Sequence, residues 1–308
     1  MYNLKCKIVI AAVAAITLTF AGCGDNNTPE PPVDPNAAIT NPVSDYGQMP
    51  GKFSVSADKQ VRFSQGNLQY RYVADTETNR WRFATNQWDA MGKEENEKIA
   101  RGDSCWIDLF GWGTGKNPGA MCAYISQADY HDWGENPILN GANQPNQWRT
   151  LTQSEWVYLL HKRTKAAERC GLGTVNGVHG LILLPDDWEN LITLPGLKSC
   201  SEKFSNDGAT GYKYEDANKN DHFEDNVFSV DTWQKLEAKG AIFLPAAGEY
   251  NKNGYVIDVN VYGCYWTSVS PADMAYALTF RKYFVNGQST LQKNQLSASV
   301  RLVRNVDL

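Results

Sequence analysis

Beyond Phe53 the chain is written in short runs of alternating apolar and polar residues, and this confines it to a fold built mainly from strands. Val61 and Phe63 alternate, as do Leu68, Tyr70 and Tyr72, then Trp81 and Phe83, with the polar cluster Asp75-Thr76-Glu77-Thr78-Asn79 as a hairpin loop between the last two sets. Leu181–Leu184 and Ala241–Leu244 are short apolar runs that end at a proline. Val256–Val261, Tyr265–Ser268, Met274–Phe280 and Ser299–Val303 give a strand-rich C-terminal third. Asn176-Gly177 and Asn286-Gly287 are dipeptides suited to the tight turns of β-hairpins.

Helix signals occur twice. Thr152-Gln153-Ser154-Glu155 is a capping box, followed by Trp156, Leu159 and Leu160 on one helical face as far as about Arg163. A second helix starts near Ser229 or Asp231, buries Trp233 and Leu236, and stops at Gly240. The expected class is therefore α+β. An apolar share of 42% excludes wholesale disorder. A formal charge of −5 with no basic cluster argues against a nucleic-acid partner.

The N-terminus reads as an address. Lys5 and Lys7 precede the thirteen-residue apolar run Ile8–Phe20, too short to span a bilayer and of the right length for a signal peptide. Phe20-Ala21-Gly22-Cys23 then resembles the bacterial lipoprotein box. This implies a signal peptide over 1–22 and lipidation of Cys23; the alternative is an ordinary secretory signal cut near Ala21. Residues 23–50, rich in Pro and Asn, read as a solvated tether. The expected location is an exported lipoprotein of a Gram-negative-type envelope, at the outer membrane or cell surface, held to the membrane through its lipid alone. Five cysteines remain beyond Cys23, an odd number, and their spacing assigns no bonds.

Three stretches carry a family resemblance. Trp148-Arg149-Thr150-Leu151-Thr152-Gln153-Ser154-Glu155-Trp156 is similar to the W-R-L-P-T-x-x-E-W segment of bacterial C-type-lectin-like domains. Tyr262-Gly263-Cys264-Tyr265-Trp266-Thr267-Ser268 resembles their G-x-Y-W-S-S strand, and Ser299-Val300-Arg301-Leu302-Val303-Arg304 their closing V-R-x-V-R strand. Shorter matches at Phe63–Tyr70, Leu183–Trp188 and Phe243–Gly248 extend the resemblance from about residue 53 to 304. It points to the FISUMP-type (major paralogous) domain family, whose fold is shared with formylglycine-generating enzymes and the variable proteins of diversity-generating retroelements. It implies a C-type-lectin-like core over 147–308, with an added strand-rich region over 51–146. Trp148, Thr152, Glu155, Trp156, Trp266 and Arg301 would be structural, the three tryptophans meeting where helix packs on sheet. One of Arg301 and Arg304 would point outward or meet a carboxylate.

Catalytic signatures fail. Gly111-Trp112-Gly113-Thr114-Gly115-Lys116 lacks the spacing of a phosphate loop and continues into Asn117. The four histidines are scattered, and Asp186-Asp187 follows Pro185 where a turn or cap is the plainer reading. Formylglycine-generating enzymes need a close cysteine pair near the C-terminus, whereas Cys264 has no cysteine nearer than Cys200. The chain is read as a non-enzyme. Asp216-Ala217-Asn218-Lys219-Asn220-Asp221 is the best metal candidate, with oxygens at Asp216, Asn218, Asn220 and Asp221 able to wrap calcium. It misses the EF-hand pattern at Asp221 and Val227, so a solvated polar loop is the plainer reading and no cofactor is required. Tyr250, Asn251, Tyr255, Asn260 and Tyr262 form a Tyr- and Asn-rich stretch suited to adaptable contacts. The expected function is recognition of a glycan or protein ligand through the loops at 249–263 and 268–296. The alternative is a structural or tip subunit of a surface assembly, with a formylglycine-generating-like enzyme third.

Overall fold

The computed structural model describes residues 46–71, 80–92, 106–188, 196–200, 205–206 and 213–306, all within one compact unit spanning 39–308. Cys23, the expected signal peptide, most of the expected tether, the expected loop at 75–79 and Cys105 lie outside the described residues. The fold is mixed α+β, mostly strand, and two short α-helices lie wholly among the described residues: α1 (Gln153–Val157) and α2 (Val230–Ala238).

Five sheets are present among the described residues. The first runs, in spatial order, Phe53–Ser54, Gln60–Phe63, Leu302–Val306, Arg149–Thr150. The largest runs Gly263–Trp266, Met274–Arg281, Phe284–Gln292, Lys213–Glu215, Ser205–Asn206. A third, Val227–Phe228, Cys170–Val175, Val178–Leu183, Ile242–Pro245, includes a parallel pairing between its first two strands. Val256–Ile257, Glu249–Asn251 and Leu296–Ser297 make a small sheet, and Trp81–Phe83, Leu68–Arg71 and Trp106–Ile107 another.

Local chemistry explains most boundaries. The capping box forms: the Thr152 hydroxyl accepts from Glu155 N at 3.2 Å, and the Glu155 carboxylate accepts from Thr152 N at 2.8 Å. Arg149 then grips both oxygens of Glu155 at 2.8 Å each, tying the preceding strand to the helix start. After Val157 the helix widens into a π-turn over Tyr158–Lys162, which the apolar spacing does not reveal. Ser229 caps α2, and Gly240 ends it with φ +92°. Asn176 and Gly177, at φ +50° and +78°, make the tight hairpin between Cys170–Val175 and Val178–Leu183.

Several expectations are revised. Asn286-Gly287 is not a turn but lies inside the Phe284–Gln292 strand, where a side chain at Gly287 would press on Leu160. The hairpin turns instead at Lys282-Tyr283. Val256–Val261 is strand only to Ile257, because Asp258 and Asn260 take positive φ. The stretch 46–50 is packed rather than solvated: Met49 is fully buried and its N–H donates to Phe63 O at 2.8 Å. The Phe53–Ser54 and Gln60–Phe63 strands, from the strand-rich 51–146 region, share a sheet with Leu302–Val306.

The three structural tryptophans do not share one contact. Trp156 joins Phe63, Tyr265 and Phe280 in one cluster. Trp148 and Trp266 belong to a second, with Trp112 and Trp133, where their indole N–H groups donate to Gly141 O and Phe110 O at 2.8 and 2.7 Å. Arg304 lies over the Trp148 ring. Arg301 is buried and meets neutral oxygens rather than a carboxylate: Gln87 Oε1 at 2.7 Å, Asn67 Oδ1 and Phe243 O both at 3.4 Å. A single apolar-polar alternation cannot show this, because the partners come from three distant segments.

Asp186 is a structural tie and not half of an acid-base pair, since Asp187 is exposed. Its carboxylate accepts from Ser54 N and Oγ, Gln60 Nε2 and Arg163 Nη1, at 2.6 to 3.1 Å. Burial pushes its pKa up, but Ser54, Arg163 and Gln60 outweigh this and hold it below the usual carboxylate range. A carboxyl depressed in the folded state stabilises fully above its unfolded pKa of about 3.9, and that stability is lost as pH falls through the folded value. Asp186→Asn should therefore lose about 2 kcal/mol at pH 7. Urea unfolding across pH should show the gap to wild type closing below about pH 4; a gap constant with pH would contradict this account.

Candidate functional site

A pocket of about 400 Å³ opens where the Lys282-Tyr283 turn meets the 258–262 turn and the 216–226 loop. Its walls include His179, Phe223, Asn260, Arg281, Lys282 and Tyr283. The hairpin turn is fixed from below: Asp216 N donates to Tyr283 O and His222 N to Lys282 O, at 2.9 and 2.8 Å. The 258–262 turn is pinned from the side, with Asn260 N donating to Ala246 O and Asn260 Oδ1 accepting from His179 N at 2.6 Å. His179 Nδ1 lies 2.7 Å from Asn260 O. A carbonyl can only accept, so Nδ1 carries the proton and Nε2 is the ring nitrogen left out of that bond. The imidazole stacks on Phe223 at 4.5 Å and 15°.

The charges here are compensated. Arg281 donates to Asp258 at 2.7 Å and lies 4.3 Å above the Tyr262 ring. Lys282 Nζ is 3.6 Å from Asp221. The pocket thus presents aromatic faces beside paired donors and acceptors, without a surplus of positive charge large enough to demand a polyanion.

The Tyr- and Asn-rich stretch divides by role. Asn260 lines the pocket, and Tyr255 is 56% exposed. Asn251 holds its own turn, its Oδ1 accepting from Asn253 N and Tyr255 N at 3.0 and 3.2 Å. Tyr250 is half-buried against the small cluster of Leu109 and Val256. Tyr262 is buried, and burial drives its hydroxyl well above the usual tyrosine pKa. His179, Phe223, Arg281, Lys282 and Tyr283 were not singled out by sequence. The legible signal was Arg-Lys-Tyr between two long alternating runs, hidden by the stronger Asn-Gly turn signature four residues on.

The 216–221 loop borders a shallower hollow of about 350 Å³, lined by Asp216, Asn218, Asn220, Asp221 and His222. Its central carboxylate is already engaged. Asp216 accepts from Asn218 N, Asn220 N and His222 Nε2, at 2.9, 3.2 and 2.9 Å, which together hold it below the usual range. Asp221 Oδ1 accepts from Phe223 N, and the side chain faces Lys282. Asn218 and Asn220 meet Asp216 through their backbone N–H groups. No group of three or more His, Cys, Asp or Glu is arranged to hold a metal ion among the described residues.

Cys264 is fully buried on its strand, and burial pushes its thiol up, the opposite of the shift that activates a nucleophile. No helix among the described residues is long and apolar enough to cross a membrane. No family model matches the chain, and no curated protein or solved structure matches it significantly.

Proposed function

We propose that this is a non-catalytic, surface-anchored binding lipoprotein with a C-type-lectin-like core, whose ligand is a glycan held in the His179–Tyr283 pocket. The observation that carries the reading is the pocket's composition. A sugar ring offers an apolar face and a rim of hydroxyls that both donate and accept. His179, backed by the buried Phe223, and Tyr283 supply aromatic surface, while the Lys282–Asp221 and Arg281–Asp258 pairs supply donors beside acceptors. Calcium is not needed by this reading, because the polar groups at the pocket contact hydroxyls directly.

The test is binding of the purified protein to glycan and surface-protein arrays, with calcium and with chelator. The expected result is saturable, chelator-resistant glycan binding that weakens about tenfold in Tyr283→Ala, the order of one aromatic contact. Binding unaffected by Tyr283→Ala and Lys282→Ala would move the site elsewhere. Binding abolished by chelator, and by alanine at Asp216, Asn218 and Asn220, would make the neighbouring loop a metal-dependent receptor.

A second reading, a subunit of a surface assembly, has its own support. Tyr255, Ile257, Val259 and Val261 stand 56, 39, 40 and 49% exposed at alternate positions beside the pocket. Such an exposed apolar row, running from the Val256–Ile257 strand into the turn after it, is a docking feature. Array silence together with a partner cross-linked through this row would favour it.

A further inference from the structure

We propose that Cys170 and Cys200 are the two halves of a structural disulfide, made when the chain folds in the presence of a disulfide oxidant. Their sulfurs lie 3.4 Å apart, and both residues are buried, at 0 and 2% exposure. Cys170 opens the Cys170–Val175 strand, and Cys200 follows Lys198, whose backbone packs against that strand at Gly171. That packing does not depend on sulfur. Asn226 Nδ2 donates to Leu172 O and Lys198 O, at 2.6 and 3.0 Å, and its Oδ1 accepts from Lys198 N at 2.8 Å. A side chain at Gly171 would strike Lys198 O, so the backbones run too close to admit any residue but glycine there. The two cysteines are thus brought together by a clamp that forms without them, and only a small movement separates contact from bond.

The chemistry balances with an external disulfide, small or protein-borne. The thiolate of one cysteine attacks a sulfur of the oxidant, giving a mixed disulfide and releasing one oxidant thiolate. The second cysteine's thiolate then attacks its partner's sulfur, closing the bond and expelling the other oxidant thiolate. Two protons pass from the cysteines to the two oxidant sulfurs, and two electrons go with the exchange. In the finished fold, burial and the neighbouring Cys170 sulfur both push the Cys200 thiol up and slow this attack. Attack on the oxidant therefore begins before Cys200 is fully buried, and seating of Lys198 on the clamp then brings the second sulfur up to close the bond. Cys264, fully buried on a different sheet, and Cys122, beside Ser297 and Tyr250, stand apart from this pair.

The experiment uses the full chain, unfolded, reduced and refolded in a buffer of reduced and oxidised glutathione. It is then alkylated under denaturing conditions without reductant, digested and weighed. The expected result is one species in which the Cys170 and Cys200 peptides are joined and lighter by two hydrogen atoms, while Cys122 and Cys264 carry the alkyl group. Reductant should lower the melting temperature by roughly 10 °C, the order for a loop of this length in a chain of this size. Alkylation of both Cys170 and Cys200, or linkage of either to another cysteine, would overturn the proposal. Because the linkage is read on the unmutated protein, the outcome does not depend on any variant folding.

Discussion

Arg301→Met should destabilise the protein by about 3–5 kcal/mol, read from urea unfolding at neutral pH. Arg301 sits in the interior with its charge answered only at second hand. It donates to Gln87 Oε1, and Gln87 Nε2 donates to Glu237 Oε1 at 2.9 Å, so the amide relays the cation to a buried carboxylate. Burial pushes Arg301 down to about 10 and Glu237 up from its usual value, with Gln87 and Arg301 drawing the carboxyl back. Removing the cation leaves Glu237 buried without it. Adding Glu237→Leu to the same chain should recover more than half of the loss. Gln87 stays satisfied in that double variant, since it also donates to Ala241 O and accepts from Phe243 N. The sign with pH follows. A carboxyl whose folded pKa is raised favours the fold when protonated, and that favour is lost as pH rises. The single variant's deficit should therefore shrink toward acid pH while the double variant's does not. A single variant as stable as wild type, or a double variant no better than the single, would sink the relay.

Gly134→Ala should be about as damaging, at about 3 kcal/mol or more, and should also blur the near-ultraviolet signal of the tryptophans. The added carbon would collide with the Trp148 carbonyl. Neither side can yield. Asp132 caps the Trp133–Glu135 turn through Gly134 N and also takes Thr150 N and Thr150 Oγ1, at 2.9 to 3.1 Å. Trp148 is held at its indole by Gly141 O, and Asn146 N donates to Gly134 O at 3.1 Å. Gly177→Ala is the control. Its φ is +78°, yet nothing lies within 4 Å of the added carbon, so it should cost only about 1–2 kcal/mol of backbone strain. Equal losses at both sites would show that the collision at Gly134 is relieved by movement.

These two positions show what a sequence can and cannot carry. Thr152, Glu155, Ser229, Trp233, Asn176 and Gly177 act through neighbours a few residues away, so capping boxes, apolar spacing and a turn dipeptide were enough to place them. Gly134 and Arg301 act through Trp148, Gln87 and Phe243, and only the folded chain supplies those partners. The pocket fell on the same divide. Its aromatic and charged residues come from four separated stretches, and the register of the last hairpin decides which of them face one another. Reading Asn286-Gly287 as the turn moves Arg281, Lys282 and Tyr283 out of the loop and into a strand. The Tyr- and Asn-rich stretch was visible because it is contiguous, but Asn251 and Tyr262 turned out to serve the fold around it.

The Leu302–Val306 strand lies between Gln60–Phe63 on one side and Arg149–Thr150 on the other. A strand from late in the sequence thus lies inside a sheet whose edge strands, Phe53–Ser54 and Arg149–Thr150, are both synthesised well before it. A nascent chain emerging N-terminus first holds the Gln60–Phe63 strand with one flank unpaired until Leu302–Val306 emerges. Its closure waits on a pairing of very long sequence separation, the kind that folds slowly.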